Sequence, residues 1–203
     1  KLATTATGID VTGTILADGL TVGNNGNSTL NLKSTDGSTT TGHVLGKLEF
    51  ESSDASGPAV KSTIKAVVAD SFGRDSELYF TTSDNTSNDL TRLKIAANGD
   101  ISFYEDTGTT AKFFWDASAE SLGIGTSSPS AFANYTNVTL KGGSNGSNLD
   151  FHSSGGTRVG AIVSNPGTEL IVETGEATPL VFKTNSAERM RISSSGNVGI
   201  GSS

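Results

Sequence analysis

Few side chains in this sequence are of the kinds that do chemistry. There are two histidines and no cysteine. His43 sits in a Thr/Gly loop, and His152 ends an alternating stretch beside Ser153. A metal centre needs several converging ligands, and neither histidine has carboxylates at ligand spacing, so no metal and no cofactor is expected. Ser/His/Asp combinations are unavoidable with 28 serines and identify nothing. Glu49/Glu51 and Asp84/Asp89 could mimic the acid pair of a glycosidase. A retaining pair needs its carboxyls ~5–5.5 Å apart across a sugar cleft. Glu49 and Glu51 are two residues apart and share a strand face, where solvation is the simpler reading. Without a fuller constellation the chain is not expected to be an enzyme. Gly142-Gly-Ser-Asn-Gly146 lacks the lysine and following helix of a phosphate loop. The aromatic cluster Phe113-Phe114-Trp115 puts Phe113 and Trp115 on one strand face. Trp115, and Tyr135 in a later connector, are the candidates for a sugar-stacking receptor contact. Packing against a neighbouring chain is the competing use of such rings.

The elements that hold these residues read as short strands. Through residues 1–32, apolar residues recur at spacing two, as in Gly8-Ile9-Asp10-Val11, Leu20-Thr21-Val22 and Thr29-Leu30-Asn31-Leu32, with breaks of Gly, Asp or Asn. Residues 33–43 form a polar loop. Alternation resumes over 44–52 through Val44, Leu48 and Phe50. Ser53 to Pro58 is a loop. Residues 60–69 place Val60, Ile64, Val67 and Val68 on one helical face, but their β-branched content favours a strand. Ser76 to Thr82 is a strand, and Asp84 to Asp89 a polar hairpin loop.

Composition bears on whether such strands can stand alone. Only 33% of the 203 residues are hydrophobic, while Gly (25), Ser (28) and Thr (27) are abundant. Fixing a residue costs ~1–2 kcal/mol, and burying a Val, Ile or Phe returns ~1.5–3 kcal/mol. A six-residue strand with two or three inward apolar residues therefore comes out near zero and needs burial shared with other copies. The period-two pattern argues against disorder. The net charge of −7, with scattered cations, offers no phosphate-neutralising surface, so nucleic acid is not an expected partner. No apolar run approaches the ~20 residues of a membrane span, so no membrane insertion is expected. Five Asn-x-Ser/Thr triplets are no more than so much Ser and Thr produces.

The sequence repeats itself. Arg92-Leu-Lys-Ile-Ala-Ala-Asn-Gly-Asp-Ile-Ser-Phe103 aligns without gaps on Arg189-Met-Arg-Ile-Ser-Ser-Ser-Gly-Asn-Val-Gly-Ile200. Leu78-Tyr-Phe-Thr-Thr82 matches Leu180-Val-Phe-Lys-Thr184, with a longer loop following it in the first copy. Leu122-Gly-Ile-Gly-Thr matches Val198-Gly-Ile-Gly-Ser as a partial third copy. Ile64 to Ala69 corresponds roughly to Val159 to Val163. The division expected is 1–43, short-strand shaft repeats; 44–129, a first β-repeat domain; and 130–203, a second.

Glu188-Arg-Met-Arg-Ile-…-Gly-Asn-Val-Gly-Ile-Gly201 and Leu122-Gly-Ile-Gly-Thr-Ser-Ser-Pro129 resemble a recurring element of tailed-bacteriophage tail fibre and tailspike proteins. That element often precedes a C-terminal self-cleaving chaperone domain in those proteins. Gly8-Ile-Asp-Val-Thr-Gly-Thr-Ile-Leu-Ala-Asp-Gly-Leu-Thr-Val22 is similar to short β-repeats in fibres of phages of marine cyanobacteria. The resemblance implies an all-β, elongated, intertwined homotrimer with β-helix- or β-prism-like repeats. It implies a virion location, partnership with other tail or fibre proteins, and attachment to a host surface glycan. Phe80, Ile95, Ile101, Ile124, Phe182, Ile192, Val198 and Ile200 are the expected trimer-core residues. A bacterial extracellular adhesin or filament subunit, and a polysaccharide-degrading tailspike, are the other classes that such repeats fit.

Overall fold

The computed structural model describes Thr21, Gly26 and residues 28–57, 59–84 and 86–201. The chain divides into two units, Lys1–Lys33 and Ser34–Ser203, and the architecture below is that of the second. The strands expected before Gly23 lie outside the described residues, Thr21 apart. Thr29–Leu32 belongs to none of the strands among the described residues.

The protein is all-β, with no helix among the described residues. Eight strands form one sheet in sequence order: β1 (Val44–Ser52), β2 (Ala59–Val68), β3 (Ser76–Thr82), β4 (Leu90–Ile95), β5 (Ile101–Tyr104), β6 (Ala111–Asp116), β7 (Ser121–Ile124) and β8 (Val138–Leu140). Every neighbouring pair is antiparallel except β7–β8, which is parallel. Two three-stranded sheets follow. One consists of β9 (Ser147–His152), β10 (Arg158–Asn165) and β11 (Glu169–Thr174). The other consists of β12 (Leu180–Thr184), β13 (Ala187–Ile192) and β14 (Val198–Ile200). The segment 60–69, open to a helical reading, is strand β2. Its β-branched residues suit a pleated surface, where χ1 restriction costs little.

Register sorts the residues of the large sheet onto two faces. One cross-strand row runs Leu48–Ile64–Phe80–Leu93–Phe103–Phe113–Ile124–Leu140, through all eight strands. Beside it runs Gly46–Ala66–Leu78–Ile95–Ile101–Trp115–Leu122–Val138. These two rows make one face almost wholly apolar. The other face carries Lys47–Lys65–Tyr79–Lys94–Ser102 and Glu49–Thr63–Thr81–Thr91. The smaller sheets repeat the division. Leu149–Ile162–Val172 lies on one face of the second sheet, with Asp150–Ala161–Glu173 behind it. Leu180–Ile192–Val198 and Phe182–Met190–Ile200 share a face of the third, with Val181–Arg191–Gly199 behind.

The burial pattern inverts that of an ordinary domain. Among the described residues only Val68 and Ala161 are buried apolar side chains. The shielded positions are instead small polar ones: Thr63, Thr81, Ser102, Ser121 and Thr126. Thr81 is 2% exposed, whereas Phe103 in the apolar row is 45% exposed. Apart from isolated contacts, strands touch only neighbours in their own sheet. Among the described residues no sheet covers another, so no strand is laid over the apolar rows.

The repeats coincide in hydrogen-bond register. Leu78–Ile95–Ile101 and Phe80–Leu93–Phe103 in β3–β5 stand where Leu180–Ile192–Val198 and Phe182–Met190–Ile200 stand in β12–β14. Both ladders break after the phenylalanine, leaving Arg92 or Arg189 as the extra residue of a β-bulge. Each bulged arginine donates its Nε–H to the threonine ending the preceding strand, at 2.8 Å to Thr82 and 2.7 Å to Thr184. The following turns also agree. Gly99 (φ 91) and Gly196 (φ 85) donate to the carbonyls of Ala96 and Ser193, and glycine adopts that left-handed conformation without steric cost. The copies differ in the hairpin before the bulge. A longer connection joins β3 and β4 in the first, while Asn185 (φ 49) and Ser186 (φ 62) make a two-residue turn of the type that matches strand twist in the second. β6–β7 is a third copy: Phe113–Ile124 and Trp115–Leu122 match Met190–Ile200 and Ile192–Val198. Gly125 N–H donates to Lys112 C=O as Gly201 N–H donates to Arg189 C=O.

Candidate functional site

The polar face of the large sheet holds a cleft of about 280 Å³, lined in part by Lys47, Glu49, Lys61, Thr63, Lys65, Thr81 and Asp89. Asp89 ends the β3–β4 loop with φ 62, a conformation that aspartate tolerates better than most residues. Thr81 donates its hydroxyl to Asp89 Oδ1 at 2.7 Å, and Thr63 lies 2.6 Å from Thr81 and 3.1 Å from the same carboxylate oxygen. Two hydroxyl protons serve these three contacts, so the longest is the weakest. Lys65 holds the other carboxylate oxygen. Burial pushes the Asp89 carboxyl up, but the bonds from Lys65, Thr81 and Thr63 together outweigh it and hold it below the usual range.

This cluster ties β2, β3 and the loop into one unit. Asp89→Ala is expected to destabilise the fold by ~1–3 kcal/mol by stranding Lys65 and two shielded hydroxyls. The sign with pH follows from the lowered carboxyl. Its contribution is complete above the unfolded value of about 3.9 and disappears as pH falls through the lower folded value. Thermal unfolding at pH 5 and below pH 4 should therefore show a larger acid loss in the parent chain than in Asp89→Ala.

Of the acid pairs, Glu49 and Asp89 line this cleft, whereas Glu51 and Asp84 do not. Asp84 accepts from the amides of Thr86 and Ser87 and from the Thr86 hydroxyl, which hold its carboxyl low. Asp89 is engaged as described. Glu49 pairs with Lys47 at 2.6 Å, and Glu51 stands opposite Val60, two residues along the same strand. His43 contacts Ser34 Oγ at 3.0 Å and lies 3.7 Å from Asp36. His152 Nδ1 lies 2.9 Å from Gly156 C=O. Among the described residues no group of three or more His, Cys, Asp or Glu is placed to hold a metal ion. No helix among them is long and apolar enough to cross a membrane.

The two aromatic candidates fall in different settings. Trp115 stands in the apolar row between Ile101 and Leu122, half-buried. Tyr135 is 71% exposed in the connector between β7 and β8. With Phe132, Asn134 and Glu120 it lines a second, more open cleft of about 610 Å³. Phe80, Ile95, Ile101 and Ile124 all lie on the apolar face of the large sheet, and Phe182, Ile192, Val198 and Ile200 on that of the third. Arg191 forms a two-bond ion pair with Glu188, at 2.7 and 2.9 Å. Arg158 bonds both Asp150 and Glu173, the acids flanking buried Ala161. The Thr63/Thr81/Asp89 cluster and the Arg158 bridge were not singled out from sequence. Their partners lie 8 to 26 residues apart, and no local pattern announces them.

No protein-family model matches the chain, and no curated protein matches it.

Proposed function

We propose that the chain is a structural and adhesive segment of a bacteriophage tail fibre, working as a homotrimer in the virion and contributing to host attachment. The observation that carries the reading is the pair of apolar rows running through the eight-stranded sheet with no strand laid over them among the described residues. Contiguous exposed apolar surface of that extent marks an interaction site. Three copies turning these faces toward one axis would give each the core that it lacks alone. The polar faces, bonded by Asp89, Glu77–Lys94 and Arg158, would then face solvent. The resemblance of the Gly-Asn-Val-Gly-Ile-Gly phrase to fibre repeats supplies the biological setting. Several weak surface contacts on one rigid trimer, Tyr135 among them, would add through effective concentration on a host glycan. Catalysis has no part in this reading, and other tail proteins are the proposed partners.

Antibodies raised against residues 44–201 are expected to decorate the tail fibres of the virion that encodes the chain, in negative-stain electron microscopy. Decoration of a cellular filament instead would replace the fibre with an adhesin. Release of oligosaccharide from host envelope glycans, abolished by Glu49→Gln or Asp84→Asn, would replace it with a tailspike enzyme.

A further inference from the structure

The last strand of the second repeat matches β7, yet the two differ at the outer edge. In β7, Gly123 pairs inward with Phe114, and in β14 Gly199 pairs inward with Arg191. Gly125 and Gly201 then close the ladder on the carbonyls of Lys112 and Arg189. Alternation of the backbone turns the peptide groups of Leu122 and Ile124 outward in β7, and those of Val198 and Ile200 outward in β14. In β7 these groups are occupied. Leu122 N–H donates to Asn137 C=O and Lys141 N–H donates to Ile124 C=O, both at 2.8 Å, with β8 running parallel between them. Among the described residues, β14 pairs only with β13.

We infer that the outer edge of β14 is an acceptor for one parallel strand of the Asn137–Lys141 kind, the first strand of another repeat unit. The chemistry of the occupant follows from the rows. At β7 the added strand continues both apolar rows, Val138 beside Leu122 and Leu140 beside Ile124. At β14 the rows stop at Val198 and Ile200, which are 58% and 77% exposed. A strand with apolar residues at the first and third positions and a small polar residue between continues them, whereas a polar strand leaves both uncovered. The inference rests on register within one chain and stands apart from the threefold reading.

The test is a chain lengthened by one unit, residues 126–201 joined again after Gly201, read by amide hydrogen exchange. The amides of Val198 and Ile200 are expected to slow by ~10-fold or more, to the level of Leu122 and Ile124. Unchanged exchange in a lengthened chain whose new unit is itself protected would overturn the inference. So would protection already present in the parent chain, since another strand would then hold the edge. Should the lengthened chain not fold, a labelled peptide of sequence Thr136–Lys141 is titrated onto the parent chain. Val198→Pro removes one outward N–H at a strand's first position, where proline is tolerated. Saturable binding weakened about tenfold by that change supports the inference. Absent binding, or binding indifferent to the proline, overturns it. Solution mass measured on the same samples separates the outcome from that of the trimer reading.

Discussion

Ile95→Asp, and separately Ile192→Asp, is expected to abolish assembly. Ile95 stands between Leu78 and Ile101, and Ile192 between Leu180 and Val198, each inside an apolar row. In a single chain Ile95 is 36% exposed, so a carboxylate there costs little until other copies cover it. Once covered, an unpaired charge costs several kcal/mol per copy, and a trimer carries three. The total rivals the ~5–15 kcal/mol by which a folded domain exceeds its unfolded state. Lys47→Ser, on the opposite face and removing only an exposed ion pair with Glu49, should leave assembly intact. Size-exclusion chromatography with light scattering distinguishes the variants. Normal assembly of both Asp variants would remove the apolar rows from the interface.

Gly125→Ala is expected to detach β8, at a cost of ~3 kcal/mol or more, while the same change at Gly201 costs ~1 kcal/mol. Both glycines end a Gly-x-Gly strand with left-handed backbone, φ 78 and φ 68, so the conformational penalty is shared. Their surroundings differ. A Cβ on Gly125 would fall on the Lys141 carbonyl, displacing the segment whose amide bonds Ile124. A Cβ on Gly201 meets nothing within 4 Å among the described residues. The comparison therefore isolates the β7–β8 joint. It is read as the difference in unfolding midpoint between the variants and as accelerated exchange of the Lys141 amide in Gly125→Ala alone. Equal effects would show that the joint adds nothing.

What the sequence made legible was whatever repeats at short range. Period-two alternation placed Phe113 and Trp115 together and Phe114 opposite, as their register requires. The alignment of Arg92–Phe103 with Arg189–Ile200 anticipated two strand–turn–strand units with the same turn. The arginine bulge was hidden inside that alignment, because one extra residue in a strand leaves no compositional mark. The parallel addition of β8 was hidden as well. Nothing in Val138-Thr-Leu140 marks it as a partner of Leu122–Ile124, since residues 125–137 intervene. As a result the large sheet continues to Leu140, beyond the junction expected at 129/130. Asp89 read as an end of a polar loop. Its role as anchor for Thr63, Thr81 and Lys65 depends on two strands and a loop meeting, which composition does not encode.

The same alternation that sorted the faces also explains why the chain exposes so many large apolar side chains. Strands three to ten residues long, joined mostly as meanders, build single-layer sheets. A single layer has one face too many for its apolar content, and only another layer removes it from water. Polar packing on the opposite face, through Thr63, Thr81 and Ser102, stiffens the layer without supplying that cover.

Solution mass is the most direct test of shared burial. Light scattering on the purified chain is predicted to give three times the chain mass of 20.7 kDa, at all concentrations where the protein stays folded. A dimer would keep the shared burial and contradict the threefold arrangement. A folded, cooperatively melting monomer of 20.7 kDa would contradict the account itself, because its apolar rows would then need no partner.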